Sequence, residues 1–338
     1  MLRNGLRSLF LPSLDWIQVE VSSSCNAACV YCPHTVYRDA WLNRHLPVDL
    51  FERLMADEAK PRLIYLQGWG EPLLHPDFLD LVRMAKSAGR NLGTTTNGML
   101  LDPPTAFELV ECGMDIVAFS LAGVDERNDV VRKGTRIGQV LDAIHVLNEA
   151  KRSLGRDVPK IHVAYMLLRS GLDTVEQLPS VLRERGVNQV VISTLDFVPC
   201  RDLENETVIP GTSREYSDLR GRLEALSAEG KRWGLEICSQ IYRPGKRRLT
   251  CTENVQRALY VSSDGAVSPC PFTNLPVSGA VHMHRAGETP YRPLALGNVR
   301  EATLTDIWRH KTYRRFRRSF YDGGLPIRCE TCPKLFIG

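Results

Sequence analysis

Three cysteines stand close together near the start of the chain, in the pattern Cys25-x3-Cys29-x2-Cys32. A [4Fe–4S] cube is usually held by four thiolates. Three thiolates from one short loop would hold three irons and leave the fourth open to a substrate or cofactor. Tetrahedral zinc also uses short cysteine spacings, and His34 is near enough to complete such a site. A second group lies toward the other end: Cys251-x13-Gly265-x4-Cys270, then Cys329-x2-Cys332-Pro333. Its four thiolates would saturate one [4Fe–4S] cluster or equally make a structural Zn(Cys)4 site. These seven and the scattered Cys112, Cys200 and Cys238 make up the ten cysteines. In a long chain without a secretory signal, metal or redox chemistry explains them better than disulfides. Cys112 reads as a small buried hydrophobe.

These groups need elements to position them. Short apolar strands alternate with amphipathic helical stretches over residues 15–195. Strands are expected at 16–21, 63–66, 91–95, 115–121, 160–168 and 189–194. Helices are expected at 47–59, 77–88, 103–111, 137–152 and 175–185. The alternation argues for a parallel sheet with crossover helices. Such folds place chemistry in the loops after the strands' C-terminal ends, and the Cys25 loop directly follows the first strand. Residues 213–233 read as one long charged helix and 235–238 as one more strand. From about residue 242 the chain is rich in Pro, Gly, Cys and Arg. A boundary there divides a unit over 15–240 from a smaller one over 241–338. Residues 278–293 read as a loop.

Composition excludes several classes. At 338 residues, 43% hydrophobic and 24% charged, the chain has the make-up of an ordinary globular protein. A net charge of +4 is too small to imply nucleic acid. No apolar run approaches the roughly 20 residues that span a bilayer. The first fourteen residues hold only the short apolar run Leu9-Phe10-Leu11, with no signal-peptide pattern, so a cytoplasmic protein is expected.

Further landmarks follow the cysteine loop in order. The aromatic Tyr31 precedes Cys32. Gly68-Trp69-Gly70-Glu71-Pro72 follows the second strand, Thr95-Thr96-Asn97-Gly98 the third, and Ser120-Leu121-Ala122-Gly123 ends the fourth. From about residue 15 to 199 the chain resembles the radical S-adenosylmethionine (SAM) superfamily: its C-x3-C-x-aromatic-C motif, its G-G-E-P segment (here with Trp69), its T-N-G turn and its S-L-D-G segment (here with Ala122). The resemblance implies a partial (βα)6 TIM-like barrel with SAM across the strand ends. It implies that the open iron chelates the methionine end of SAM, that Gly70 and Glu71 help hold its amino group, and that Asn97 and Ser120 lie in the cofactor site. Arg132 is the candidate for the carboxylate, since a guanidinium donates two parallel hydrogen bonds. Met166 and Leu167 either line the adenine face or are plain barrel core. The family's chemistry is reductive cleavage of SAM to a 5′-deoxyadenosyl radical that abstracts hydrogen from substrate. A flavodoxin or ferredoxin is the expected reductant. Cys200, after the sixth strand, is a candidate hydrogen-atom donor.

The second cysteine group is similar to SPASM and twitch auxiliary-cluster domains. Residues 295–299 (Ala-Leu-Gly-Asn-Val) and 304–308 (Leu-Thr-Asp-Ile-Trp) resemble the same domains' G-N…L-x-x-I-W stretch. Four cysteines match the single-cluster, twitch-type version. Its auxiliary [4Fe–4S] cluster would accept an electron from substrate or serve structure alone. The substrate implied is a peptide, protein or cofactor precursor. The segment Tyr65-Leu66-Gln67-Gly68-Trp69-Gly70-Glu71-Pro72 resembles that of maturases linked to tungsten oxidoreductases. A small molecule such as a sugar, aminocyclitol or cofactor precursor is the rival, as the substrate of a radical dehydrogenase or rearrangement enzyme, because a barrel starting near residue 15 is expected to leave no room for a peptide-recognition domain before it. A non-catalytic metal-binding redox protein is the remaining alternative. Finally, Arg309, Lys311, Arg314, Arg315, Arg317 and Arg318 crowd the segment after Trp308, with Tyr313, Phe316 and Phe320 interleaved at helical spacing. An amphipathic helix with solvated charge accounts for this. A dock for an anionic partner is the sharper reading.

Overall fold

The computed structural model describes residues 13–337 apart from 246, 249, 285, 286 and 331. Most of the leading segment read above for a signal lies outside the described residues. Six strands form in the order the sequence predicts: β1 (Trp16–Val19), β2 (Leu63–Leu66), β3 (Asn91–Thr96), β4 (Ile116–Leu121), β5 (Lys160–Leu167) and β6 (Gln189–Thr194). They are consecutive neighbours in one sheet, all parallel. Four crossovers are the helices α1 (Val48–Ala56), α2 (Phe78–Ser87), α3 (Pro103–Glu111) and α4 (Ile137–Ser153). Each presents an i, i+3, i+4 apolar stripe, such as Val140, Ala143, Ile144 and Leu147 on α4, to the sheet. Strand residues of opposite parity meet these stripes: Ile17, Ile64, Leu92, Val117, Ile161 and Val190 are fully buried. Each such side chain contributes about 1.5–3 kcal/mol by leaving water. This α/β architecture is the partial barrel expected.

Two elements differ from expectation. The helix expected over 175–185 is a short 3-10 turn, Val175–Gln177, followed by Leu178–Leu182. Pro179 restarts the helix in its first turn, and Arg183 leaves it with extended backbone. In place of a loop at 278–293 there is a hairpin, Val281–His284 paired antiparallel with Gly287–Pro290. Gly287 and Pro290 read as breakers in sequence, but Val281-His282-Met283-His284 alternates apolar and polar residues, a short period-2 signal that the loop expectation passes over.

The sheet does not end with the barrel strands. The long helix α5 (Ser213–Arg232), whose first turn is capped by Thr212 Oγ1 accepting from Glu215 N at 3.2 Å, leads to β7 (Glu236–Gln240), parallel to β6. The chain then returns to the opposite edge. There β8 (Ala258–Val261) pairs parallel with β1, and β9 (Ala266–Ser268) and β10 (Gly297–Asn298) continue antiparallel. The result is one ten-stranded sheet. Buried Glu20, just past β1, ties its parts together. It accepts from Trp69 N at 2.9 Å after β2, and from Ser263 N at 3.1 Å and Ser263 Oγ at 2.9 Å after β8. Burial pushes its carboxyl up, against these hydrogen bonds. The C-terminal part then carries α6 (Leu304–Arg309) and α7 (Lys311–Asp322), followed by a short helix, Ile327–Glu330, and a 3-10 turn, Pro333–Leu335.

Candidate functional site

The loops after β1, β2, β3 and β4 meet at one end of the sheet. Ser23 anchors the cysteine loop, its Oγ donating to Leu42 O at 2.8 Å and its carbonyl accepting from Trp41 Nε1 at 2.9 Å. Beyond it, Ala28–Cys29 pairs antiparallel with Arg132–Lys133, so Cys29 lies opposite Arg132. Cys32 then caps the short helix Pro33–Val36. The three thiols share one electrostatic neighbourhood with Arg132. Burial pushes Cys25 up to about 11 and Cys32 up to about 12, so metal must displace their protons on binding.

The segment after β2 closes on this loop. Glu71 N donates to Ser24 O at 2.8 Å. A Cβ on Gly70 would stand 2.4 Å from Ser24 O, so only glycine allows the approach. Glu71 is buried, and its carboxylate accepts from Thr96 Oγ1 at 2.7 Å, Asn97 N at 2.7 Å and Leu73 N at 3.2 Å. Burial raises its pKa, and these donors oppose the rise. Asn97 Nδ2 donates in turn to Asn26 Oδ1 at 2.7 Å, inside the cysteine loop. Gly98 turns the chain there at φ 84°. Ser120 is half-buried at the end of β4, and Ala122 N donates to Asn128 Oδ1 at 3.0 Å.

Arg132 is 7% exposed. Its Nη1 donates to Tyr31 Oη at 2.6 Å, while its Nε is buried without a hydrogen-bond partner. Burial works against its charge, while the neighbouring Tyr31, Cys29 and Cys25 pull the other way and raise its pKa overall. An unpartnered buried donor beside three thiols suits an anionic group. The aromatic residue of the cysteine motif thus orients the arginine, a pairing the sequence does not announce.

Met166 and Cys200 pack in one apolar cluster with Cys29, Tyr31 and Ala122. Leu167 does not join them. On β5 the odd-numbered residues face the helices, so Leu167 is fully buried in the main core and only Met166 faces the barrel interior. His34 is buried edge-on to Trp41 at 5.2 Å, where burial lowers its pKa. Trp69, in place of the commoner glycine, reaches the C-terminal part: its Nε1 donates to Asn274 O at 3.1 Å, and its ring meets Phe272 and Phe197 edge-on.

Cys251, Cys270, Cys329 and Cys332 are half-buried and electrostatically coupled to one another. Burial pushes Cys251 up to about 12 and raises Cys270 and Cys332 as well. Among the described residues no three His, Cys, Asp or Glu side chains converge as ligands of a single ion. A cube spreads its thiolates over separate irons. Beside this group sits buried Lys334, 3.0 Å from both Asp196 Oδ2 and Glu253 Oε1. Burial works against its charge, and the two carboxylates restore and raise it. Asp196 follows β6 at the barrel mouth, so the ion pair joins the mouth to the second cysteine group. Nothing in the sequence marks this triad. Cys112 is half-buried against the main core beside Arg83, and Cys238 is half-buried beside Glu236.

Fold and site together define a partial-barrel protein with cysteines at its mouth and a second cysteine group on the sheet's far edge. Residues 19–169 match the model of the radical SAM superfamily, and residues 251–333 match SPASM, an iron–sulfur cluster-binding domain. The chain belongs to the radical SAM superfamily, with a C-terminal SPASM domain; SAM and [4Fe–4S] clusters are the cofactors these domains imply. It is 27% identical over 314 residues to the tungsten-containing aldehyde ferredoxin oxidoreductase cofactor-modifying protein of Pyrococcus furiosus, covering 90% of this chain and 83% of that one. It is 23% identical over 321 residues to the PqqA peptide cyclase of Gluconobacter oxydans, covering 93% and 81%. Its fold is like that of Streptococcus suis SuiB bound to S-adenosylmethionine, with a TM-score of 0.68 at 14% identity, covering 99% and 74%. SuiB is also known bound to the precursor peptide SuiA. No helix among the described residues is long and apolar enough to cross a membrane.

Proposed function

We propose that this radical SAM enzyme modifies a peptide, protein or cofactor precursor by hydrogen abstraction, with a second cluster taking part in electron transfer. In this reading the barrel spans 15–240 and the auxiliary domain 241–338. When bound, the first cluster and SAM supply a one-electron cleavage that starts hydrogen abstraction. Cys25, Cys29 and Cys32 would hold three irons of that cluster. Arg132, oriented by Tyr31, offers its free Nε and fixed charge to the SAM carboxylate. Gly70 lets the segment after β2 approach, and Glu71 and Asn97 lock it to the cysteine loop. Ser120 and Met166 border the remaining space. Cys200, packed in one cluster with Cys29 and Met166, is the candidate hydrogen-atom donor. Cys251, Cys270, Cys329 and Cys332 would hold the auxiliary cluster.

The observation that carries the reading is the buried arginine with a free donor, held by the motif's own tyrosine beside three thiols. The relatives' substrates support the maturation class: one relative modifies a cofactor, another cyclises a peptide. The test is an iron and sulfide count together with SAM turnover on protein purified without oxygen. Two [4Fe–4S] clusters give about eight irons. Protein that holds no iron and forms no 5′-deoxyadenosine after reconstitution overturns the proposal.

A further inference from the structure

The basic segment after Trp308 is absorbed by none of this. On α7, Tyr313, Phe316 and Phe320 are buried. Arg317 goes with them, contrary to its place in the charged crowd of the sequence. It stacks 3.8 Å from the Trp308 ring and donates to Trp308 O at 2.8 Å, and burial lowers its pKa to about 10. The inner face is therefore locked to α6, which fixes where the outer face points.

That outer face carries Lys311, Arg314, Arg315 and Arg318 around an open groove of about 630 Å³, with Ser319 and Asp322 at its side. Among the described residues none of these four cations forms an ion pair. Several surface arginines elsewhere are paired, Arg83 with Asp80 and Glu108, Arg127 with Asp173, Arg220 with Glu224 and Arg222 with Glu176, while isolated ones such as Arg62, Arg169 and Arg201 are not paired among the described residues; what sets this helix apart is four unpaired cations on one face. The four cations lie three or four residues apart, where like charges repel along a helix. Lys311 and Arg314 also sit at the positive end of the helix dipole. The arrangement works against the helix's own stability, so solvation alone is a poor account of it.

The position says what the charge is for. Tyr313, on the opposite face of α7, lies within electrostatic range of Cys270. Past Asp322 the chain runs directly to Cys329. Tyr313, Phe316 and Phe320 belong to the same core that Cys251, Cys270 and Cys329 pack against, so the basic groove lies on the opposite face of α7 from the core that the second cysteine group borders.

We propose that this groove docks an acidic one-electron carrier protein, bringing its redox centre up to the auxiliary site. The proposal rests on the reading of Cys251, Cys270, Cys329 and Cys332 as cluster ligands. In the reducing direction the carrier loses one electron and the auxiliary cluster gains it; no atom or proton is transferred. Carboxylates on the carrier meet the four cations, which steers encounter and makes it salt-dependent.

The test uses reconstituted holoenzyme with an acidic flavodoxin and an acidic [2Fe–2S] ferredoxin. Binding is measured by titration calorimetry and reduction by stopped flow, with dithionite as a small independent reductant. In K311E/R314E/R315E/R318E, carrier affinity and carrier-driven reduction fall at least tenfold, while dithionite reduces the clusters as in wild type. The wild-type carrier rate falls steeply between low and physiological salt. The milder K311Q/R314Q variant shows a smaller loss in the same direction if the quadruple variant does not fold. Carrier binding that is unchanged in the variants, or indifferent to salt, overturns the proposal. So does a groove that binds RNA or phosphatidylserine vesicles but neither carrier. A failure of the underlying reading shows separately, as an iron count of about four in wild type.

Discussion

The two cysteine groups reach similar chemistry by opposite routes. Cys25, Cys29 and Cys32 come from a single loop, shaped by a strand end, a two-residue ladder with Arg132–Lys133 and a helix cap. The second group draws on residues from 251 to 332, brought together because β8, β9 and β10 extend the barrel sheet and a buried ion pair fastens the last loop. The first is built locally and keeps a charged donor free beside it. The second has its neighbouring charge, Lys334, spent on two carboxylates. One is equipped to receive a ligand and the other to be enclosed.

Substituting each group separately tests this division most sharply. Cys25→Ala/Cys29→Ala/Cys32→Ala is expected to abolish 5′-deoxyadenosine formation and to lower iron from about eight to about four. Replacing the four C-terminal cysteines by alanine is expected to give the same iron loss with SAM cleavage retained and substrate product lost. If the second variant also fails to cleave SAM, the two sites are not separable. Next in size is Lys334→Met. It leaves Asp196 and Glu253 buried without a counter-charge and is expected to cost about 3–5 kcal/mol, read by denaturant unfolding. Adding Asp196→Asn should restore part of the loss; no recovery would mean the pair is not what fastens the loop.

Smaller effects separate the sites by chemistry. Arg132→Lys keeps the charge but loses the fork, and is expected to weaken SAM binding about 10-fold or more, for about 1.5–3 kcal/mol of charged hydrogen bonding. Equilibrium dialysis with SAM reads this, and unchanged affinity would remove Arg132 from the site. Gly70→Ala forces a Cβ against Ser24 O and should cost about 1–3 kcal/mol. Least dramatic is the pH dependence of cluster loading. Burial raises the pKa of Cys25 and Cys32 in the first group and of Cys251, Cys270 and Cys332 in the second, up to about 11 at Cys25 and about 12 at Cys251. Iron uptake must expel the thiol protons, so it should rise with pH at both groups. Incorporation that is flat from pH 6 to 9 would contradict the burial of the thiols.

Legibility in the sequence follows the same contrast. Strands 63–66 and 189–194 and helix 103–111 are read to the residue, because periodicity and turn residues agree there. The landmarks Gly70, Glu71, Asn97 and Arg132 could be picked out by order and spacing. What stays hidden is what tertiary structure alone creates. Glu20 and Lys334 look like ordinary surface charges until burial shows their partners. Arg317 looks like its neighbours until its stacking on Trp308 is seen. Leu167 and Met166 are equivalent as letters, and only the strand's alternation separates core from mouth. The Val281–His284 hairpin is held by partners far away in sequence, Met283 N donating to Val198 O at 2.9 Å.

The pairing of β8 with β1 also sets an order of events during synthesis. Parallel pairings so distant in sequence close slowly, because the whole intervening chain must be gathered first. Until residues 258–261 leave the ribosome, β1 has an uncovered edge that other chains can pair with. Through that interval Cys25, Cys29 and Cys32 have already emerged, next to an unfinished sheet and open to air oxidation. Slow translation in oxygen should therefore damage the first cysteine group before the last one exists, and anaerobic expression protects the nascent chain as much as the finished enzyme.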